Sequence, residues 1–190
     1  MNRPYIIGIG GESAGGKSTL SNRLEKSLTG HKVKVFHMDA YYKKEALRPT
    51  ITGLTNGKIY IDDNHPDALD LDRLHEDLRD TINSDAGKSP DIIIVEGLFA
   101  LWDQTLLPLL DLKIYVDCDS DERLTRRIKR NLTFGQDLQE ITERYVQAVQ
   151  PRQKEYVLPT KWNADIIING FSFPDVGCAV ILTYLKEQAF

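Results

Sequence analysis

Residues 11–18 read Gly11-Glu12-Ser13-Ala14-Gly15-Gly16-Lys17-Ser18, which fits the spacing G-x-x-x-x-G-K-[ST]. Tyr5-Ile6-Ile7-Gly8-Ile9 precede it as an apolar run of strand length, and Thr19 to Lys26 follow with a composition that suits a helix. A strand, a glycine-rich loop and a helix in that order wrap backbone N–H groups around phosphate oxygens. The lysine then reaches the terminal phosphates and the hydroxyl holds Mg²⁺. By average residue frequencies the pattern arises in roughly one chain of this length in a hundred, and the setting lowers that rate further. Gly11, Glu12, Ser13, Ala14, Gly15, Gly16, Lys17, Ser18 and Thr19 are therefore the expected nucleotide-binding residues.

The chain has 190 residues, 41% apolar and 27% charged, which suits one globular domain with a real core, residues 1–190. Its 24 basic and 28 acidic residues give a formal charge of −4. That balance argues against nucleic-acid binding, which needs a basic surface. No apolar run approaches the ~20 residues that span a bilayer, and the N-terminal residues lack a signal-peptide pattern. Cys118 and Cys178 suit a reducing compartment as small buried hydrophobes. A cytoplasmic protein with no membrane partner is expected.

Short apolar runs at Tyr5–Ile9, Val33–Phe36, Ile92–Val95, Ile114–Val116 and Ile166–Ile168 alternate with longer amphipathic stretches. This alternation predicts an α/β fold, a three-layer parallel sheet flanked by helices. The expected helices are Ser18–Leu28, Ala68–Ile82, Asp121–Asn131, Leu138–Val157 and Asp175–Gln188, with Asp67 and Ser120 as caps. Segments 40–67 and 131–137 show no period and read as loops.

Three further positions supply a reaction. Asp39 follows the second strand run, where ligand groups gather at the carboxyl ends of a parallel sheet, and can take the proton of an attacking hydroxyl. A turn or cap role is its bland alternative. Glu96 ends Ile92-Ile93-Ile94-Val95-Glu96, a Walker B-like strand whose acid orients Mg²⁺ or its water. Arg123, Arg127 and Arg130 share one helical face and can neutralise a transferring phosphoryl group, whereas Arg126 and Lys129 point elsewhere. The acids of residues 62–70 read as a polar loop entering a helix, and His65 has no ligand spacing to another His or Cys.

These stretches together resemble the uridine kinase (uridine–cytidine kinase) family of phosphate-loop kinases, from about Tyr5 to Gly170. The narrowest matches are His65-Pro66-Asp67-Ala68 and Leu158-Pro159-Thr160-Lys161 followed by Ala164-Asp165-Ile166-Ile167. The resemblance implies ATP and Mg²⁺ as cofactors, held by Lys17 and Ser18 with Glu96 supporting the metal. It makes Asp39 the general base, with Lys17 and Arg130 beside it in catalysis. It places Asp39, Tyr42, Asn64, His65 and Arg127 at the substrate.

The chain departs from that family in three places. The family's base-binding hairpin belongs between Ile82 and Asp91, where residues 83–90 leave eight positions; two strands and a turn need about 12. Asn64 stands where the family has a ribose-binding aspartate. Phe134-Gly135-Gln136-Asp137 replaces the lid's Arg-Gly-Arg-Asp. The expected reaction is transfer of the γ-phosphoryl of ATP to a hydroxyl of a small molecule, by resemblance the 5′-hydroxyl of uridine or cytidine. Another riboside, a sugar or a pantothenate-like acceptor stays open, as does a non-catalytic nucleotide-binding paralogue. A guanine-reading Asn-Lys-x-Asp is absent from the sequence. Homo-oligomer formation is left open.

Overall fold

A computed structural model describes residues 3–85, 89–171 and 175–188. The five apolar runs become strands: β1 (Tyr5–Gly10), β2 (Val33–His37), β5 (Ile92–Glu96), β6 (Leu112–Asp117) and β7 (Ile166–Asn169). They form one parallel sheet in the order β2-β5-β1-β6-β7. Strands buried on both faces carry apolar side chains toward both layers, which is why these runs do not alternate. One face sends Ile6, Ile93, Val95 and Tyr115 against α2 (Leu71–Ile82) through Leu74 and Leu78. The other sends Ile7, Ile9, Ile94 and Ile114 against α1 (Lys17–Ser27) and α6 (Asp175–Lys186). The expected three layers are present.

Several local expectations are corrected. Segment 40–67 is not only loop: β3 (Thr50–Thr52) and β4 (Ile59–Ile61) pair antiparallel as a hairpin. Strands of three residues are too short to register as a periodicity. The hairpin docks on the later helical stretch, where Gln147 Oε1 accepts from Thr55 N and Gln147 Nε2 donates to Thr55 Oγ1, both at 2.8 Å. Among the described residues no strand lies between Ile82 and Ile92.

The cap of α2 is Asp70, which accepts from Arg73 N, not Asp67. Pro66 starts a separate 3₁₀ turn, Pro66–Ala68, capped by His65, and Leu69 is extended, so the helix cannot begin earlier. α3 (Ser120–Thr133) is capped by Asp119 rather than Ser120 and runs two residues beyond Asn131. The expected helix Leu138–Val157 is interrupted. α4 (Leu138–Arg144) passes into π-type turns at Tyr145–Val149 and Gln153–Val157 around the single turn α5 (Gln150–Arg152). Pro151 lacks the N–H that a regular ladder requires there.

Candidate active site

The loop after β1 is held by backbone geometry that its sequence permits. Gly11 has φ +140, and a Cβ there would lie 2.5 Å from the Val116 carbonyl oxygen. Gly16, at φ +105, precedes α1 and makes no side-chain cap, so the first-turn N–H groups remain for a ligand. Lys17 is buried and its Nζ donates to the Glu12 carbonyl at 3.1 Å. Burial pushes its ammonium below the ordinary lysine value, and the negative charges of Glu96, Asp39 and Glu12 offset that effect.

Ser18 Oγ donates to Glu96 Oε1 at 3.0 Å. His37 Nδ1 lies 2.7 Å from the same oxygen. Register explains the second contact, because His37 and Glu96 are opposite each other at the ends of adjacent β2 and β5. His37 was not a candidate in the sequence; only the strand order reveals it.

A cavity of about 670 Å³ opens here. Six loop residues line it: Ser13, Ala14, Gly16, Lys17, Ser18 and Thr19. Asp39, Tyr42, Asn64, Glu96, Arg127 and Arg130 join them from distant segments. Asp39 is open to the water of the cavity, yet the wall around it desolvates the carboxyl and raises it above the ordinary aspartate range, with Lys17 opposing and Glu96 reinforcing. A ligand displacing that water would enlarge the shift.

Other expected residues stand elsewhere. Gly11, Glu12 and Gly15 form the back of the loop and do not line the cavity. Arg123, expected beside Arg127, is the buried residue of α3 and points behind the loop. Its Nη2 pairs with Glu12 at 2.9 Å, its Nε donates to the Cys118 carbonyl, and its Nη1 donates to Gln153 Oε1. Arg126, expected to face away, lines the cavity instead. Its guanidinium donates to the carbonyls of Gly170 at 2.8 Å and Phe171 at 2.9 Å and pairs with Glu122. His65 lies outside the cavity wall: its Nδ1 accepts from Asp67 N, and its ring meets Tyr156 edge-on.

At the far end of the cavity Tyr42 and Arg127, expected at the substrate, are joined by Arg48 and Asp63, which the sequence did not single out. Arg48 Nη1 binds Asp63 Oδ1 at 2.9 Å and Arg144 Nη2 binds Asp63 Oδ2 at 2.8 Å. The Tyr42 hydroxyl donates to the Asp63 carbonyl at 2.9 Å, and the Arg48 guanidinium stacks over the Tyr42 ring. Arg127 feels the charges of Arg130 and Arg144, and of Asp63 with the opposite sign. Burial and the two arginines push it down to about 10, still charged at neutral pH. Its Nε is buried without a hydrogen-bond partner among the described residues. Arg48 and Asp63 flank the hairpin in sequence, and nothing local marks them.

Residues 6–90 and 74–177 match the Phosphoribulokinase / Uridine kinase family. A protein of Staphylococcus epidermidis named uridine kinase is 36% identical over 189 residues, covering 88% of each chain. One of Bacillus pumilus with the same name is 34% identical, covering 88% of this chain and 87% of its own. Two solved structures share the fold. A proposed fructose transport system kinase from Silicibacter sp. TM1040 has TM-score 0.67 at 18% identity, covering 88% of this chain and 90% of that one. A possible uridine kinase from Bacillus stearothermophilus has TM-score 0.59 at 21% identity, covering 88% and 89%.

Proposed function

Since the chain belongs to the phosphoribulokinase / uridine kinase family and is a P-loop kinase, we propose that it moves the γ-phosphoryl of ATP to a hydroxyl of a small molecule placed at Asp39. The observation that carries this reading is the convergence of Lys17, Asp39 and Glu96 on one cavity at the mouth of the loop. The acceptor O–H gives its proton to Asp39, the new O–P bond forms at the γ-phosphorus, and the bond to the β-phosphate oxygen breaks to release ADP. A carboxylate raised above its usual range is a better proton acceptor at neutral pH than an ordinary aspartate. Lys17 and Arg130 supply positive charge where the transferring group develops negative charge.

Mg²⁺ fits the residues present. The Ser18 hydroxyl and the Glu96 carboxylate meet at 3.0 Å beside the loop, and among the described residues no cluster of three or more His, Cys, Asp or Glu could hold a metal. An ion that takes one or two protein oxygens and completes its shell with phosphates and water suits such a site. When bound, it would neutralise phosphate charge. His37 fixes the orientation of Glu96 from the neighbouring strand.

A nucleoside 5′-hydroxyl is the first acceptor to consider, because the relatives carry the name uridine kinase. A second reading, a different hydroxyl compound, is favoured by the short connection between α2 and β5 and by Asn64 at the cavity wall. The test is coupled ADP release over uridine, cytidine, purine nucleosides and simple sugars. Acceptor-dependent ADP release that Asp39→Asn abolishes, with ATP affinity retained, is expected. A folded protein that releases no ADP with any acceptor, or an Asp39→Asn variant of full activity, would refute the reading.

A further inference from the structure

We propose, resting on the kinase reading above, that the phosphate acceptor carries an anionic oxygen group, a carboxylate or a phosphate monoester, bound by Arg48 and Arg127 at the far end of the cavity. Three observations lead there.

The first is charge. At the phosphate end Lys17 and Arg130 face Asp39 and Glu96, and Arg126 is paired with Glu122. At the far end Arg48, Arg127 and Arg144 face one carboxylate, Asp63, which leaves a surplus of two positive charges. Asp63 is shared between Arg48 and Arg144, so one carboxylate offsets only one of these two charges. Were Arg127 to turn wholly toward the ATP phosphates, one unmatched cation would still remain.

The second is the sense of the hydrogen bonds. Glu12 fixes Arg123, Arg123 donates to Gln153 Oε1, and Gln153 Nε2 therefore donates to Asn64 Oδ1 at 3.2 Å. That buried relay occupies the oxygen of Asn64 and leaves its amide hydrogens for a ligand. Both oxygens of Asp63 are held by arginines. The polar side chains of this wall thus offer mainly donors. A carboxylate or phosphate offers only acceptors, whereas a ribose diol or a pyrimidine ring also brings donors that would find few partners.

The third is the unpaired edge of Arg127. Arg127 lines the cavity and its Nε has no hydrogen-bond partner among the described residues, so an oxyanion that reaches the guanidinium meets a cation whose bonding capacity the protein leaves unfilled. Arg48 lines the same cavity, and both cations act on the Tyr42 hydroxyl.

The experiment compares kcat/KM for matched acceptor pairs at saturating ATP: glycerate against glycerol, pantothenate against pantothenyl alcohol, and ribulose 5-phosphate against ribulose, with uridine alongside. A charge-assisted fork contact should favour the anionic member of at least one pair by about 10- to 100-fold. The carboxylate and phosphate arms distinguish the two sources of the oxyanion. Arg48→Gln should erase the preference by raising KM for the anionic member much more than for its neutral partner, which the ratio of the two kcat/KM values reads directly. Arg48→Lys, which keeps the charge and loses the fork, should retain part of it. Arg144→Gln should also weaken it, because Asp63, no longer shared between two arginines, then offsets the charge of Arg48 alone. Acceptor-dependent turnover in which uridine and the neutral members equal or exceed the anionic ones would overturn this inference and leave the kinase reading standing. If no acceptor supports turnover, that reading falls, and calorimetric titration of glycerate, pantothenate and ribulose 5-phosphate in the presence of ADP decides the inference separately. Binding lost in Arg48→Gln supports it; no binding of any of the three overturns it.

Discussion

Replacing Arg123 with Met should destabilise the fold far more than its position on a charged helix suggests. Its guanidinium, 6% exposed, satisfies the Glu12 carboxylate at 2.9 Å, the Cys118 carbonyl and the Gln153 amide oxygen. Methionine fills much of the volume and satisfies none of them, which leaves Glu12 buried and unpaired. Removing one partner of a buried pair costs about 3–5 kcal/mol. For a chain of this size each kcal/mol lowers Tm by about 2–4 °C, so a fall of about 6–20 °C is expected. The loss should also depend on pH. Burial already raises Glu12 above the ordinary glutamate value, and Arg123 is the largest opposing influence. Without Arg123 the folded-state value rises further. The cost of the ionised carboxylate is absent below the ordinary glutamate value and fully present above the folded-state value, so the deficit grows as pH rises between them. Thermal and urea melts of wild type and variant at pH 5 and pH 8 measure this. The double variant Glu12→Gln/Arg123→Met, which has no orphaned charge, should recover most of the loss. A single variant that melts within about 2 °C of wild type at pH 8, or a double variant no more stable than the single one, would refute the reasoning.

The other predictions concern turnover and the loop. Lys17→Ala should lower turnover by about 10²–10³, the scale of one lost electrostatic contact to the transition state; near wild-type ADP release in a folded variant would remove the loop lysine from the chemistry. Asp39→Asn should cost roughly 10²–10⁴ in kcat with little change in ATP affinity, and lost affinity with retained kcat would move Asp39 to a binding role. In the wild type, kcat/KM should decline with falling pH with a one-proton slope, centred above the ordinary aspartate value of 3.8 because burial raises the group; a profile flat through pH 5 and down to the aspartate range would count against Asp39 as the base. Gly11→Ala should abolish nucleotide binding and lower Tm, since its Cβ would lie 2.5 Å from the Val116 carbonyl at φ +140; unchanged nucleotide affinity by calorimetry would show that the loop tolerates the shift.

The sequence alone determined what depends on neighbours along the chain. Glycines at fixed offsets, a lysine and a hydroxyl at the start of a helix, and apolar runs of strand length define a phosphate-binding loop and a buried parallel sheet because backbone geometry is local. Asp39 and Glu96 were legible for the same reason, each lying at the carboxyl end of a recognisable strand. Tertiary structure decided which side chains meet across long separations. Arg123 and Arg126 differ by three positions on one helix, yet one is buried behind the loop and the other staples it to Gly170. That division depends on how α3 sits against β1 and β7, not on helical spacing. His37 reaches Glu96 only because β2 neighbours β5. Asp63 holds Arg48 and Arg144 only because a hairpin of two three-residue strands folds back onto the π-type turns after α4. Such short strands draw little from their own residues and much from that docking. The loop end of the cavity was therefore written in contiguous motifs, while its far end was assembled by packing.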